Sequence, residues 1–433
     1  MNLPSCVNSR AFHPSTADII SLPYGAALIH QELPLVPTVT VDVWLPAGAV
    51  RDPQTVLGAA HMVEHMIFRG SERLRPQDFD RLIERHGGQS GAATSLEYAH
   101  YQFTVATEHF EPSWAALAEL LTAATFAPAE WDLERPVILE ELSQAIADPD
   151  WVLYQGLMET AFSDHPYARS VLGDSASVQQ TSAAELRQFH RTHYSPHQWT
   201  VVVVGAVSRE RAIAALTEGV PRCSRYSCPP MLQPASCPVQ GVRRDEICHP
   251  VSQTSTLMMG WITPGATNLR AILGLELLSV ILGEGRSSRL VSRLREERQW
   301  VHDIGSGFLP HQYAGVFVLR AELELRYGAI AEQQILEELW RLHGGLILEH
   351  ERQRAVRSLY HRFLFGMESP AQLAEFLGYY GMLGCHHLCR HWPNAYRQEM
   401  ESITVDELQS LARRYLPLES YTVISLQPSP YFP

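Results

Sequence analysis

The pentad H-M-V-E-H at residues 61–65 combines the side chains that a hydrolytic metal site needs. Residues at positions i and i+4 of an α-helix share one face, so His61 and His65 can both reach one metal ion. Glu64 lies beside the same site and can take a proton from a metal-bound water. The apolar residues around the pentad predict a helix over 55–68. A solvated polar helix face is the competing interpretation, but burying three ionisable groups there is costly unless a metal compensates.

Two glutamates farther along the chain are candidates for completing the site. Glu134 and Glu141 are seven residues apart, which is two turns of the helix predicted for 131–147. They therefore share one face of that helix. A catalytic zinc site takes three protein ligands and keeps one position open for water. One carboxylate can bind the metal while the other supports the site.

The elements that must position these residues occur twice along the chain. An alternating strand ends in a Pro/Gly turn at 38–49, and again at 254–266. Residues 181–205 and 404–426 each run from an N-cap threonine through a helix and a Tyr-x-Pro turn into an apolar strand. A tandem duplication explains this recurrence.

A stretch that is poor in periodicity and rich in Pro, Cys, Ser and Arg separates the two copies. We expect a linker at 218–244, between a first domain at 1–217 and a second domain at 245–433. Within each half the order is strands, then helices, then strands. This order predicts an α+β fold in which each domain has a mixed sheet with helices packed on one face.

The composition excludes several functional classes. The formal net charge of −13 disfavours nucleic acid as a partner. The chain contains no lysine, which rules out Schiff-base chemistry and the phosphate-loop lysine. Seven cysteines, an odd number in a chain of this size, do not suggest a disulfide framework. We find neither an apolar run long enough for a membrane span nor a signal-peptide pattern, so we expect a cytoplasmic protein without a membrane partner.

The sequence resembles the pitrilysin family of zinc peptidases, within the branch of the mitochondrial processing peptidase subunits and their bacterial homologues. The order H-x-x-E-H is that of the inverzincins. The likeness covers nearly the whole chain and is carried by five segments in the expected order: AAHMVEHMIFRGSERL (59–74), GGQSGAATSLEYAHY (87–101), ERPVILEELSQ (134–144), HPYARSVLG (165–173) and LGEGRSSRLVSRLREERQWVHDI (282–304).

The resemblance implies a role for each residue of the candidate metal site. In the family pattern, His61, His65 and Glu141 are the ligands of a Zn²⁺ ion. Glu64 is the general base, and Glu134 is the supporting carboxylate.

The resemblance also implies substrate-binding residues. Arg295 and His302 would bind and polarise the substrate carbonyl, although the family has tyrosine where this chain has His302. Imidazole can donate a hydrogen bond to a developing oxyanion, and a weakened site is the alternative. Gly91, Ala92 and Ala93 would form the strand that binds the peptide, with Gly91 in place of the usual asparagine. The backbone of this strand can still pair with an extended peptide.

The resemblance implies two similar domains that face each other as a clam shell, completed by a second subunit. We expect a zinc-dependent endopeptidase that hydrolyses unfolded peptides or presequences in an enclosed chamber. The assembly would be a homodimer or a heterodimer with a related subunit. A non-catalytic structural or partner subunit is the alternative, but such a subunit has no need of Glu64. A third possibility, a zinc-binding module without turnover, lacks an obvious fourth ligand.

Overall fold

The computed structural model of the protein describes residues 16–220, 240–250, 252–392 and 394–429. In the first half, groups of strands, several of them rich in β-branched residues, are separated by groups of helices. The strands are β1 Asp18–Ser21, β2 Ala27–Glu32, β3 Thr38–Leu45, β4 Gln89–Thr94, β5 Ala99–Ala106 and β6 Thr200–Gly205. The helices are α1 Ala59–Ile67, α2 Asp78–Arg85, α3 Phe110–Ala123, α4 Pro128–Ala147, α5 Pro149–Ala161, α6 Ser175–Gln180, α7 Ala183–His193 and α8 Arg209–Glu218.

The second half repeats this plan with a longer run of helices before its last strand. Its strands are β7 Val242–His249, β8 Ser255–Pro264, β9 Val301–Leu309, β10 Ala314–Leu323 and β11 Tyr421–Pro428. Its helices are α9 Leu269–Gly283, α10 Gly328–His343, α11 Glu349–Phe365, α12 Pro370–Met382, α13 His386–His391, α14 Asn394–Ser402 and α15 Val405–Tyr415. A π-helical segment spans Val291–Glu297.

The two sheets have matching topologies. The first has the order β1-β2-β6-β3-β5-β4, and the second has the order β7-β11-β8-β10-β9. In each sheet one neighbouring pair is parallel (β2 with β6, and β7 with β11), and the other pairs are antiparallel. Apart from β1, each strand of the first sheet therefore has an equivalent in the second. The predicted α+β class with two mixed-sheet domains is confirmed.

Each sheet is covered by helices from both halves. One face of the first sheet packs against α1, α3 and α7 in a shared apolar cluster. On its opposite face, α12 approaches closely enough that a Cβ on Gly378 would lie 2.0 Å from Nε1 of Trp44. In the second sheet, the side chain of Leu157 from α5 packs against Gly260 of β8, close to the place that a Cβ on Gly260 would occupy. Each half therefore contributes a helix to the core of the other. The prediction that helices pack on one face of each sheet is wrong in this respect, because the opposite face is covered by a helix from the other half.

The sequence predicts a threonine as the N-cap of α7 and of α15, and a linker between the two halves. The threonine predicted as the N-cap of α7 is one residue too early, because Ser182, and not Thr181, accepts the backbone N–H of Glu185. Thr404 is the N-cap of α15, as predicted. The linker predicted at 218–244 lies mostly outside the described residues, and its last three residues already belong to β7. Within the described parts of the chain, no helix is long and apolar enough to cross a membrane.

Candidate metal centre

The first turn of α1, the helix that carries the pentad, is held by residues that are not part of the helix. At Gly58 the backbone has a φ of 83°, and a Cβ there would lie 2.8 Å from the carbonyl oxygen of Leu172. The carboxylate of Asp52 accepts the backbone N–H groups of Gly58 at 2.7 Å and Ala60 at 2.9 Å. Burial raises the pKa of Asp52 to about 7, although these two bonds act to lower it. Two of the unpaired N–H groups at the start of α1 are thereby satisfied.

Three predicted metal ligands converge in the structure. His61, His65 and Glu141 each offer a ligand atom within 4.8 Å of the others. Oε1 of Glu141 lies 3.5 Å from Nε2 of His61, and Oε2 lies 3.2 Å from Nε2 of His65. The side chain of His61 is 7% exposed and that of Glu141 is 46% exposed, so the site opens to solvent on one side. Among the described residues, no other group of three or more His, Cys, Asp and Glu converges in this way.

Glu134 contacts the site through His65 and does not contact the ligand atoms directly. Nδ1 of His65 donates to Oε1 of Glu134 at 2.8 Å, and the guanidinium of Arg69 forms an ion pair with Oε2. Burial acts to raise the pKa of Glu134, but the bonds from His65 and Arg69 lower it below its usual value. A charged Glu134 fixes the His65 tautomer with the proton on Nδ1 and leaves Nε2 free to bind a metal.

The donor set fits zinc. Two imidazole nitrogens and one carboxylate are a common ligand combination for a catalytic zinc, which needs one further open position. The imidazole of His61 lowers the pKa of the Glu141 carboxyl, which therefore carries its charge at neutral pH. The carboxylate–histidine arrangement of Glu134 and His65 is the kind of support that metal-binding histidines have.

The side chain of Glu64 is oriented by the neighbouring sheet. Glu64 is on the same helix as His61 and His65, and its Oε2 accepts a hydrogen bond from the hydroxyl of Thr94. Thr94 is the last residue of β4. The candidate base is therefore held by an element outside the pentad helix.

The predicted substrate strand is an edge strand. Gly91, Ala92 and Ala93 belong to β4, which lies at the end of the first sheet and pairs with β5. A Cβ on Gly91 would lie 3.8 Å from the side-chain nitrogen of Gln102, so a larger side chain could be accommodated there. A strand at the edge of a sheet presents unpaired backbone groups to an added strand.

The predicted second-half pair, Arg295 and His302, lies in the π-helical segment and in β9. Arg295 is in the π-helical segment and forms ion pairs with Glu296 at 2.9 Å and Asp303 at 3.0 Å. His302 is exposed in β9. Among the described residues, neither side chain has a hydrogen bond or ion pair with the convergent ligands of the first half.

Three residues that support the site or its helix had no role in the sequence prediction. Arg69 follows His65 by four residues, so helical spacing could have suggested it. Thr94 ends the segment that the resemblance associates with substrate. Its hydrogen bond to Glu64 joins residues 30 positions apart, so no local spacing in the sequence indicates it. Asp52 precedes α1 by seven residues, which is too far for an ordinary N-cap.

The chain matches two consecutive family models. Residues 28–175 match the model described as insulinase (peptidase family M16), and residues 180–359 match the model described as peptidase M16 inactive domain. In agreement with the latter description, α9, which follows β8 as α1 follows β3, contains no histidine.

Known proteins with similar sequences span nearly the same length. An uncharacterised zinc protease of Mycobacterium leprae is 28% identical over 405 residues, which cover 92% of this chain and 88% of the relative. The zinc protease PqqE of Helicobacter pylori is 25% identical over 401 residues, which cover 90% of this chain and 88% of the relative. The fold is similar to the crystal structure of a protease from Helicobacter pylori, with a TM-score of 0.88, 23% identity, and coverage of 96% of this chain and 100% of that chain. The chain belongs to peptidase family M16, the pitrilysin-type family of zinc proteases.

Proposed function

We propose that this protein is a zinc-dependent endopeptidase that hydrolyses unfolded peptides or presequences. The convergence of His61, His65 and Glu141 beside Glu64 is the observation that carries the proposal. The similarity to proteins named zinc proteases supports it.

In this proposal each residue of the site has a separate task. A zinc ion would be held by His61, His65 and Glu141. When bound, the ion would lower the pKa of a water molecule and polarise the scissile carbonyl. Glu64 accepts the proton of the attacking water and returns it to the leaving amine. Glu134 keeps His65 in the tautomer that presents Nε2 to the metal.

The substrate would bind as an added strand on β4. Gly91, Ala92 and Ala93 offer backbone groups at the edge of the first sheet, and an extended peptide can pair with them. Only an unfolded segment can adopt this extended geometry, which favours unfolded peptides over folded proteins as substrates. At Gly91 a Cβ would come no closer than 3.8 Å to another atom, which leaves room beside the strand for a side chain of the peptide.

A second copy of the chain or a related subunit would complete the site. Within the parts of the chain that the structure describes, neither Arg295 nor His302 has a hydrogen bond or ion pair with the first-half site; the side chain of Arg295 is 31% exposed and His302 is exposed. We propose that the second half of one subunit faces the zinc half of the other and closes the chamber. Arg295 would then bind the substrate carbonyl, with His302 as a hydrogen-bond donor.

The test is cleavage of a mixed set of unfolded peptides by the purified protein, with zinc, with a chelator, and with the variant Glu64→Gln. Zinc content is measured for each sample. We expect cleavage to disappear with the chelator and with Glu64→Gln, while the variant still holds zinc. Bound zinc without cleavage by the wild type would support the alternative, a non-catalytic partner subunit. Absence of both zinc and cleavage would contradict the proposal.

A further inference from the structure

We propose that Thr94 is a positioning residue that holds Glu64 in the orientation of a general base. Through this contact the strand that binds the peptide also orients the group that transfers the proton. The inference rests on the proposed function, since it assigns a task to the base of that reaction.

The contact joins two elements that are distant in sequence. Thr94 ends β4 and pairs with Ala99 of β5, while Glu64 lies on α1. The hydroxyl of Thr94 donates to Oε2 of Glu64. A glutamate side chain rotates about three bonds, and a hydrogen bond to one oxygen removes much of that freedom. The other oxygen is then held in a defined place for the proton of the attacking water.

The residue type suits this task. Thr94 is β-branched, which restricts rotation about its first side-chain bond and so fixes the direction of the hydroxyl. Valine has nearly the same shape but no hydroxyl, while serine has the hydroxyl without the second branch. These two substitutions therefore separate the hydrogen bond from the packing of the side chain.

The turn that follows Thr94 is anchored by the second half of the chain. The carboxylate of Glu97 accepts the backbone N–H of Gln312, which lies 2.9 Å from Oε1 and 2.8 Å from Oε2. The hydroxyl of Tyr167 donates to the same carboxylate. Glu97 is 6% exposed, so these bonds form away from water, where a polar contact is stronger. The end of β4 is therefore fixed on the side of the turn as well as by its pairing with β5.

The experiment compares Thr94→Val and Thr94→Ser with the wild type in steady-state peptide cleavage, with Glu64→Gln assayed in parallel. We expect Thr94→Val to lower kcat by about 10- to 100-fold, because a displaced catalytic group costs a rate factor of this size. KM, zinc content and the thermal midpoint should stay near those of the wild type. Thr94→Ser should recover most of the lost kcat.

Thr104→Val is the matched control. Thr104 lies on the neighbouring strand β5, and its hydroxyl bonds to that of Thr40 at 2.7 Å and not to Glu64. Its removal should leave kcat unchanged even if stability falls. Equal loss of kcat in Thr94→Val and Thr104→Val would indicate a general effect on the sheet and overturn the inference.

The parallel assays separate the two proposals. If Glu64→Gln abolishes cleavage but Thr94→Val keeps the full kcat, the proposed function stands and the role of Thr94 is refuted. The role of Thr94 is also refuted, while the proposed function stands, if Thr94→Ser lowers kcat as much as Thr94→Val does, or if Thr94→Val changes KM and not kcat. If Glu64→Gln cleaves as fast as the wild type, or if the zinc-loaded wild type does not cleave, the proposed function fails and the inference fails with it.

Discussion

At the scale of single residues, the two carboxylates of α4 differ in what they contact. Glu141 contacts the imidazoles of both His61 and His65 at their Nε2 atoms. Of these two imidazoles, Glu134 contacts only that of His65, at Nδ1. Glu134 is 6% exposed at its side chain and carries an ion pair with Arg69, so its charge is compensated inside the protein. In the proposed site, Glu134 would therefore act on a metal only by way of His65.

We expect Glu134→Gln to weaken zinc binding by about 10- to 100-fold, the usual effect of losing a carboxylate that supports a metal-binding histidine. The amide can still accept from Nδ1, but it lacks the charge that favours this tautomer. Zinc affinity is measured by competition with a metal-sensitive chelator, without any activity assay. Glu140→Gln is the control, because Glu140 is exposed on the same helix and bonds to Gln144. Equal zinc affinity in Glu134→Gln and Glu140→Gln would exclude this role for Glu134.

Part of the site follows from sequence because its spacings are helical, whereas the choice of Glu141 over Glu134 as the ligand rests on the family resemblance. His61 and His65 are one turn apart, and Glu134 and Glu141 are two turns apart, so a helix places each pair on one face. The contact of Thr94 with Glu64 depends on how α1 packs against β4, and no local pattern specifies such packing. The roles of Arg295 and His302 depend on a partner surface and remain predictions.

At the scale of elements, α1 depends on Asp52 for its first N–H groups. The carboxylate is 5% exposed and accepts two backbone N–H groups, and Gly58 itself provides no side-chain cap. Asp52→Ala would leave both donors unsatisfied in a buried place. We expect a loss of about 1–3 kcal/mol in the free energy of unfolding.

This loss is measured by urea unfolding in the presence of a chelator, because bound metal would add its own stabilisation. Asp132→Ala is the control, since Asp132 is 67% exposed and pairs with Arg135 one turn away. Its effect should stay within about 0.5 kcal/mol. If the two variants unfold at the same urea concentration, the bonds of Asp52 do not stabilise the helix start.

Strand and helix periodicity identifies several elements near the site, including β3, α1 and α4. The N-cap of α7 is less certain from sequence, because Thr181 and Ser182 are both good capping residues. Ser182 is the cap because Glu185, three residues later, bonds back to its N–H and completes a capping box. Thr181 instead donates its hydroxyl to the carbonyl of Ser177 in α6.

At the scale of the whole molecule, the two halves share their cores. Trp44, Ile29 and Val202 from the first sheet belong to the same apolar cluster as most of the second-half core. Leu157 of α5 lies in a cluster with Ile424 of β11. The sequence indicates a duplication but not this exchange of helices. The apolar residues of α5 and α12 indicate that these helices are buried, but they do not indicate which of the two sheets each helix covers.

Helix α12 contacts the first sheet most closely at Gly378. A Cβ on Gly378 would lie 2.0 Å from Nε1 of Trp44, a fully buried ring that stacks on His100 at a centroid distance of 4.4 Å. Alanine favours a helix over glycine by about 1 kcal/mol. Overpacking against a rigid ring costs about 1–3 kcal/mol, so the net effect of Gly378→Ala should be destabilising. Urea unfolding followed by tryptophan fluorescence measures it.

Gly328→Ala is the matched control for this substitution. Gly328 is the first residue of α10, and a Cβ there would meet no atom within 4 Å. With a helical backbone, a smaller change in helix propensity at the helix start and no steric conflict, this variant should be as stable as the wild type or slightly more stable. Because α12 belongs to the second half and Trp44 to the first, the destabilisation by Gly378→Ala should shift one unfolding transition common to both halves. If Gly378→Ala were as stable as Gly328→Ala, or if it shifted only part of a two-step transition, the shared core would not couple the two halves.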